Sequence, residues 1–413
     1  MQAPPRPKRK LLSKVTCPHC WTEFPVYDVR FIAESATLLG DPMQGSDAQL
    51  RFLPSRFNFK GHALDPTGSV CMRMACPGCH FELPAAVLEQ EQAVLSVVGA
   101  PSSGKSVMLA AATFALRSGL VVPGLDFLDV DPGLNDLSIG LEGTLFKSAT
   151  PKSPTMIAKT EASGQLYRTY RCRDQRLTAP KPQLFGVARA RNRMLLSLYD
   201  NAGEHFLPGA SQPFEHVTRH LAVSKALILV LDPTQDPRVY GQLGGRESVA
   251  DLGGSSGAGF RADLILIEVM NRVRRLRGLS STEPLPCRVI VALSKHDLWG
   301  RLAPDLEEIV RATPAGSLLA LPKAPELAAI HEAACGFLRR HVPEVLAAAK
   351  AADPGFRVVP FSGLGTPPSR DLDSGALLIR PADVRPTWAA GPLVLGLAEA
   401  MPTTLPEYLP VKP

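Results

Sequence analysis

One segment fits the pattern G-x-x-x-x-G-K-[ST] of a phosphate-binding loop: Gly99-Ala100-Pro101-Ser102-Ser103-Gly104-Lys105-Ser106. In such a loop, glycines let successive backbone N–H groups point at phosphate oxygens, and the start of the following helix adds unpaired donors. We expect Lys105 to reach the β- and γ-phosphates and the Ser106 hydroxyl to ligate Mg²⁺. The motif predicts a nucleoside triphosphate site and leaves the base open.

Two C-x-x-C pairs have the spacing of zinc knuckles: Cys17-Pro18-His19-Cys20 and Cys76-Pro77-Gly78-Cys79. Four thiolates from two such turns make a tetrahedral site, which is structural when every position is a protein ligand. Neither pair opens a helix after a strand, which disfavours a redox role; four unliganded thiols are the other alternative. Residues 21–75 must then form an insertion, and His19 and His80 are expected to face solvent.

A further motif, Asp200-Asn201-Ala202-Gly203, directly follows the apolar run Met194–Tyr199 and fits D-x-x-G. In a phosphate-loop protein such an aspartate holds Mg²⁺, and the glycine N–H can contact the γ-phosphate. Any junction between a strand and a turn can carry this pattern alone. Its place after a predicted hairpin makes Asp200 a candidate magnesium ligand and Gly203 a candidate phosphate sensor.

Two motifs address the base. Ser294-Lys295-His296-Asp297 resembles the base-reading pattern N/T-K-x-D, with serine in the first place. The Asp297 carboxylate can accept hydrogen bonds from guanine N1–H and the exocyclic amino group, an arrangement that adenine lacks, while the Lys295 stem packs over the base. A solvated aspartate at a strand end is the alternative. Ser362 and Gly363 resemble a loop whose N–H contacts the guanine carbonyl.

These motifs must be positioned by strands that alternate with helices, which predicts a mostly parallel sheet covered on both faces. The predicted strands are Ala93–Val98, Met194–Tyr199, Ala226–Leu231, Arg288–Leu293 and Arg357–Phe361. The predicted helices are Ser106–Arg117, Asp263–Arg277, Pro304–Ala312 and Glu326–Ala351. The runs Leu184–Ala188 and Arg193–Tyr199 are separated by a short polar turn, which predicts one antiparallel hairpin.

The four motifs, in this order and each after a strand, resemble the Ras-like (TRAFAC-class) GTPases over residues 92–402. The resemblance implies an α/β fold, a doubly wound P-loop NTPase sheet with one antiparallel strand and a nucleotide at the carboxyl ends of the strands. Residues 198–204, Leu-Tyr-Asp-Asn-Ala-Gly-Glu, preceded by a zinc-binding module, resemble the prokaryotic double-GTPase group. That group is thought to act in bacterial conflict or signalling systems beside partner GTPases.

Several positions depart from the Ras-like pattern. Glu204 replaces a glutamine that orients the attacking water, and His205 is an alternative water-positioning group. Pro101 has no N–H and removes one phosphate-facing donor, which favours slow hydrolysis. Thr178 is the candidate switch residue that closes over Mg²⁺, with Thr155 as the competitor. The arginines of residues 168–176 are predicted to form a solvated face, and the alternative is an arginine finger in cis.

Composition sets the class of protein. The chain has 413 residues, 45% hydrophobic and 20% charged, a net charge of +6 and eight cysteines. No apolar segment follows the basic N-terminus, and the longest apolar run, Leu221–Leu231, is too short to span a bilayer. We therefore expect a cytoplasmic globular protein with reduced thiols. The predicted organisation is a basic tail at 1–12, a zinc ribbon with a long insertion at 13–90, a Ras-like GTPase domain at 91–402 and a C-terminal tail at 403–413.

The predicted function is a GTP-binding molecular switch with slow intrinsic hydrolysis and the cofactors GTP or GDP, Mg²⁺ and Zn²⁺. We expect the zinc ribbon to couple it to a protein partner, either another GTPase or an effector. One alternative is a nucleotide-bound scaffold without catalysis. Another is a zinc-ribbon nucleic-acid-binding protein regulated by nucleotide, which the lack of a dense basic stripe in residues 13–90 disfavours.

Overall fold

The computed structural model describes residues 11–119, 121–157, 166–172, 175–201, 203–206, 215–243, 261–312, 322–324, 326–371 and 377–410. Most of the predicted basic tail, residues 1–10, lies outside these ranges. Within them, no helix has both the length and the apolar character needed to cross a membrane.

A seven-stranded sheet forms the centre of the larger unit. Its strands are β1 (Gln92–Gly99), β2 (Leu125–Asp129), β3 (Gln183–Arg189), β4 (Asn192–Asp200), β5 (Ala226–Leu231), β6 (Arg288–Leu293) and β7 (Arg357–Pro360). The strand order is β2-β3-β4-β1-β5-β6-β7. Only β3 runs against its neighbours, because it pairs antiparallel with both β2 and β4 while the other four pairings are parallel. The predicted mostly parallel sheet and its single hairpin are therefore confirmed.

Helices cover both faces of this sheet, which explains why the strands are continuous apolar runs. All six residues of β5 are buried, as expected of a parallel strand with helices on either side. The helices are α1 (Lys105–Arg117), α2 (Asp136–Phe146), α3 (Pro237–Gln242), α4 (Ala262–Arg277), α5 (Pro304–Ala312), α6 (Glu326–His341), α7 (Pro343–Ala352) and α8 (Gly391–Ala400), with single turns at Ala86–Glu89, Glu215–Thr218 and His296–Trp299.

The prediction of one helix over Glu326–Ala351 is wrong. The structure has α6 and α7, separated by Val342 in a non-helical conformation. Pro343 is the cause, because proline lacks the N–H that a continuing helix needs and its ring clashes with the preceding turn. At the first position of α7 the same residue is favourable, since that N–H would be unpaired anyway.

Several short strands were absent from the sequence prediction. The edge strand β2 alternates buried Leu125 and Phe127 with exposed Asp126 and Leu128. A separate hairpin, called here the 167–180 hairpin, pairs Tyr167–Cys172 with Gln175–Pro180. Another small sheet comprises Thr155–Ile157, Ser369–Arg370 and Leu377–Ile379.

Residues 11–90, called here the zinc module after the metal predicted for their two C-x-x-C pairs, form short strands joined by turns. These are Lys14–Thr16, Glu23–Pro25, Arg30–Ile32, Leu39–Asp41, Gly45–Gln49, Arg51–Phe52, Ala63–Leu64, Val70–Cys71, Met74–Ala75 and Glu82–Leu83. Its buried residues, which include Phe24 and Phe81, share one core with Leu184 of β3 and Leu195 of β4. The module therefore packs directly on the part of the central sheet that contains the antiparallel strand β3 and its neighbour β4.

The 167–180 hairpin also contacts the zinc module, so the predicted solvated face over residues 168–176 is wrong in part. Tyr170 is buried against Phe81, with ring centroids 5.8 Å apart, and the Arg168 guanidinium lies 5.8 Å from the Phe81 ring. Arginine stacks on aromatic rings in this manner because its delocalised charge is weakly hydrated.

The C-terminal segment completes the larger core. Leu405 and Tyr408 are buried in it, and Arg189 of β3 donates to the Thr404 carbonyl (2.8 Å) and pairs with Glu407 (2.7 Å). The packed unit thus extends beyond the predicted boundary at residue 402.

The substitution Phe185→Ala should lower the free energy of unfolding by about 3–5 kcal/mol, because it opens a cavity in a core that cannot collapse fully. Phe185 has no exposed surface and its ring lies 4.6 Å from that of Phe127. Urea denaturation measures the effect. Phe59→Ala is the matched control: Phe59 is 95% exposed, so a change of at most about 0.5 kcal/mol is expected. Equal effects of the two substitutions would contradict the assignment of the core.

Candidate nucleotide and zinc sites

The phosphate-binding loop lies between β1 and α1, as its motif requires. Ser102 and Gly104 have positive φ angles of 59° and 91°, and Gly104 is the residue that precedes the helix. The Lys105 side chain is buried and its Nζ donates to the carbonyls of Gly99 (3.0 Å) and Ala100 (2.8 Å). The loop is thus curled around the lysine, an arrangement that places a cation beside the backbone donors.

Asp200, the last residue of β4, meets the phosphate loop. Ser106 Oγ donates to Asp200 Oδ2 (2.8 Å), while Oδ1 is buried and has no hydrogen-bond partner among the described residues. Burial raises the pKa of the Asp200 carboxyl, and the nearby Lys105 charge and Ser106 hydroxyl act in the opposite direction. A buried carboxylate oxygen without a partner, next to a hydroxyl, is a donor set that suits Mg²⁺.

Gly203 lies against the phosphate loop. A Cβ atom at this position would be only 2.5 Å from the Pro101 nitrogen and 2.6 Å from the Gly99 carbonyl oxygen, so no other residue fits without displacing the loop. The following 3₁₀ turn, Gly203–Phe206, is fixed by buried Phe206. The D-x-x-G segment and the phosphate loop are therefore in backbone contact.

The predicted catalytic residues stay predictions. The backbone of Glu204 and His205 lies in the 3₁₀ turn, but their side chains, like Ala202, fall outside the described part of the chain. Thr178 lies in the 167–180 hairpin opposite Thr169. Thr155 begins the strand that pairs with Leu377–Ile379.

The base-reading motif lies beside the phosphate loop. A Cβ atom on Gly104 would be 3.9 Å from Ser294 Cβ, and Ser294 Oγ donates to the Leu231 carbonyl (3.2 Å). Lys295 has a positive φ of 54°, and its Nζ lies 2.6 Å from Asp232 Oδ2. This ion pair holds the lysine stem in place next to the motif's aspartate.

The Asp297 carboxyl is on the solvent side of this motif, although neighbouring protein atoms remove part of its hydration and raise its pKa. A hydrogen bond from Ser362 and the charge of Lys295 partly offset that effect. Ser362 is buried, and its backbone exchanges two hydrogen bonds with Thr387 (2.9 and 2.8 Å). Gly363 contacts α1, since a Cβ atom there would be 2.8 Å from Val107 Cγ1. The structure thus brings the third and fourth predicted motifs, Ser294–Asp297 and Ser362–Gly363, together.

Two further side chains contact these motifs and were missed from the sequence. Gln235 Nε2 donates to the Pro101 carbonyl (2.9 Å), which fixes the loop position that lacks an N–H. Asp232 holds Lys295, as described above. The position of Asp232 directly after β5, like that of Asp200 directly after β4, is the signal that could have identified it.

The four knuckle cysteines form one buried cluster, with sulfur atoms all within 4.8 Å of one another. Cys17 and Cys79 sulfurs are 3.7 Å apart and those of Cys20 and Cys76 are 3.6 Å apart. Tetrahedral zinc with Zn–S bonds of about 2.3 Å separates its sulfurs by about 3.8 Å, so the geometry fits the metal.

The backbone of each knuckle also supports a thiolate site. The N–H groups of His19 and Gly78 point at Cys17 Sγ (3.3 Å) and Cys76 Sγ (3.2 Å). Hydrogen bonds from backbone N–H groups stabilise negative charge on sulfur. Burial raises the pKa of Cys17 and Cys79, so a cation is needed to hold four thiolates at this place.

The expectation that His19 and His80 face solvent is wrong. Both rings are buried, and burial lowers the pKa of His19 to about 3. His80 Nδ1 lies 2.7 Å from the buried Asp41 carboxylate. His19 lies within the first knuckle and His80 directly follows the second, and both belong to the packed module.

Comparisons with known proteins give distant matches. No family model and no curated protein matches the chain. Matching solved structures include Era in complex with MgGDPNP and nucleotides 1506–1542 of 16S ribosomal RNA (TM-score 0.24, 12% identity, 78% of this chain, 59% of that chain), a variant of Aquifex aeolicus Era bound to GDP and AlF4− (0.25, 11%, 78%, 58%) and sup35 complexed with GDP (0.22, 14%, 66%, 38%). This chain spans less than two thirds of each, and similarity at this level is too low to define its fold or function.

Purified protein should contain about one zinc ion per chain, and Cys76→Ser should lose it, because three sulfurs leave the tetrahedral site incomplete. Metal analysis of protein purified without added zinc measures this. Cys71→Ser is the matched control, since Cys71 is equally buried but lies outside the cluster. Zinc well below one ion per chain in the unchanged protein, or loss from both variants, would contradict the site.

Proposed function

We propose that this chain is a GTP-binding molecular switch with slow intrinsic hydrolysis. The observation that carries the proposal is the contact of Ser106 Oγ with Asp200 Oδ2 at the carboxyl edge of the parallel sheet, where Oδ1 has no hydrogen-bond partner among the residues that the structure describes. In open α/β sheets, ligands bind at this edge. A phosphate loop, a magnesium-type carboxylate and a base-reading motif at one edge together match a nucleoside triphosphate.

Each group has a defined part in this proposal. Lys105 and the N–H groups of the loop and of the start of α1 bind the phosphates, which concentrates positive charge where the triphosphate carries negative charge. Ser106 and Asp200 would hold Mg²⁺, which neutralises phosphate charge when it is bound. Gly203, in contact with the loop backbone, would sense whether a γ-phosphate is present.

Guanine is the proposed base because Asp297 is a carboxylate on the solvent side of the motif that borders the phosphate loop. Its two oxygens accept from two adjacent donors on one base edge. Lys295, held by Asp232, supplies the aliphatic surface over the base. Ser362 and Gly363 complete this end of the site.

Slow hydrolysis is proposed from the phosphate loop and the D-x-x-G segment. Pro101 offers no N–H, and its carbonyl is engaged by Gln235, so this loop position presents no donor to phosphate. Glu204 and His205 stand where a water-positioning glutamine is found in Ras-like enzymes, and a carboxylate there repels an anionic γ-phosphate. Thr178 is proposed to close over Mg²⁺.

A protein partner is proposed to read the switch through the zinc module, in a bacterial conflict or signalling system. The module exposes large apolar side chains that its own core does not use: Tyr27 is 76% exposed, Phe59 95% and Met72 61%. Exposed aromatic and methionine side chains are enriched at protein interfaces. The partner would be another GTPase or an effector.

Asp297→Asn should weaken GTP binding by about 10- to 1,000-fold and improve binding of xanthosine triphosphate, because the amide replaces one acceptor by a donor. Competition against a fluorescent GDP analogue measures both affinities. Asp305→Asn, an equal change at an exposed site on α5, should alter neither. If ATP displaces the GDP analogue as well as GTP does, the guanine assignment is wrong.

Single-turnover hydrolysis of bound GTP should proceed at a rate on the order of 10⁻⁴ s⁻¹ or less, the range of GTPases that lack an arginine finger. Glu204→Gln should raise this rate about tenfold if the carboxylate is the obstacle. Lys105→Ala is the control and should bind little nucleotide. Phosphate release near 1 s⁻¹ would contradict slow turnover, and no release under any condition would favour the non-catalytic scaffold.

A further inference from the structure

The first zinc knuckle packs against the residue that precedes the D-x-x-G motif. The Tyr199 hydroxyl donates to the carbonyl of Pro18, which lies between Cys17 and Cys20. The ring of Trp21, the residue after Cys20, lies 5.2 Å from the Tyr199 ring. The first zinc knuckle therefore touches the strand that ends at Asp200, the candidate magnesium ligand.

One buried histidine joins this contact to the D-x-x-G segment. His220 has no exposed surface and stacks on Tyr199 with ring centroids 4.4 Å apart and an interplanar angle of 8°. Its Nε2 lies 3.0 Å from Asn201 Oδ1, and its Nδ1 lies 2.6 Å from Ser96 Oγ. His220 is thus in contact with the residue before and the residue after Asp200.

The direction of each hydrogen bond in this group follows from its members. The Val97 carbonyl can only accept, so Asn201 Nδ2 donates to it (3.1 Å) and Asn201 Oδ1 must accept from His220 Nε2–H. Burial lowers the pKa of His220 to about 3, so the ring is neutral and its Nδ1 accepts from the Ser96 hydroxyl. Every ring nitrogen therefore has one defined partner.

The contacts of Gly203 and Asn201 link the phosphate loop to this histidine. Gly203 is in contact with the phosphate-loop backbone, and only residues 201 and 202 separate it from Asp200. A displacement of Gly203 on loss of a γ-phosphate would pull on Asn201, whose side-chain amide is hydrogen-bonded to Val97 on one side and to His220 on the other. A buried amide cannot shift without breaking one of these bonds or moving the imidazole with it.

We propose that His220 is a positioning residue that sets the conformation of the D-x-x-G segment and transmits it, through Tyr199, to the first zinc knuckle. The zinc module is then a sensor of the bound nucleotide as well as a stabilising element. This inference rests on the proposed function, because it concerns regulation of the same nucleotide site. It makes the zinc site and the nucleotide site energetically dependent on each other.

Two isosteric changes separate positioning from simple packing. In His220→Gln the side-chain amide nitrogen can reach the place of Nε2 and keep the bond to Asn201. In His220→Asn the side chain is shorter, so its amide group can occupy only the position of Nδ1, which faces Ser96. Both changes remove the stack on Tyr199, so both should lower the melting temperature by a similar amount.

The first measurement is the ratio of the affinities for GDP and for a non-hydrolysable GTP analogue, with Mg²⁺ and the full chain. His220→Gln should keep the wild-type ratio within twofold, and His220→Asn should change it about tenfold, the effect of one hydrogen bond to a buried group. Equal ratios in both variants, despite a lowered melting temperature, would show a packing role alone and overturn the proposal.

The second measurement is the rate at which a chelator removes zinc. Wild type and His220→Gln should lose zinc at rates that differ several-fold between the GDP and GTP-analogue states, and His220→Asn should show one rate. Identical rates in the two states of wild type would overturn the coupling.

A zinc-release measurement without nucleotide distinguishes a failure of this inference from a failure of the proposed function. Asn201→Ala should release zinc several-fold faster than Ser197→Ala, a change at a buried residue of β4 that is bonded to Gln92 instead. If wild type binds no guanine nucleotide, the proposed function fails while this measurement still reports on the network. Equal zinc release from the two variants would overturn the network itself.

Discussion

The parallel pairing of β1 with β4 is the constraint on which the candidate site depends. In this register Val97 lies opposite Asp200, so the end of β4 is beside the chain that becomes the phosphate loop two residues later. Both strands are buried, and a shift of one residue would turn every side chain to the opposite face. The packing of the whole sheet therefore brings Asp200 close to Ser106. The phosphate loop continues directly from the end of β1, whose position that packing fixes.

Much of this arrangement could be predicted because local chemistry determines it. Continuous β-branched and aliphatic runs specify buried parallel strands, and a glycine-rich turn before a helix specifies the phosphate loop. The C-x-x-C pairs were equally informative, since the four sulfurs come together across 55 intervening residues. In each case the residue types allow few other structures, so the motif and the fold agree.

The rest depends on contacts between distant parts of the chain. Pro18 and Tyr199 are 181 residues apart, and each has an ordinary local environment that gives no sign of the other. His220 follows His216 by four residues, a spacing that sequence cannot separate from two positions on one exposed helical face. Arg168 of the 167–180 hairpin looked solvated because its aromatic partner, Phe81, belongs to another module. How two modules pack together depends on the shapes of their folded surfaces. The spacing of residue types along the sequence does not reveal those shapes.

The shared core of the zinc module and the sheet has a consequence for biosynthesis. The four cysteines are synthesised well before β3 and β4, which carry Leu184, Leu195 and Tyr199. During that interval the apolar side of the module, including Phe24 and Phe81, has no surface to cover it. The candidate zinc site takes its ligands only from residues 17–79, so a bound metal would order the nascent module at once. A shortage of zinc during translation should therefore cause aggregation of chains still on the ribosome, before any nucleotide site exists.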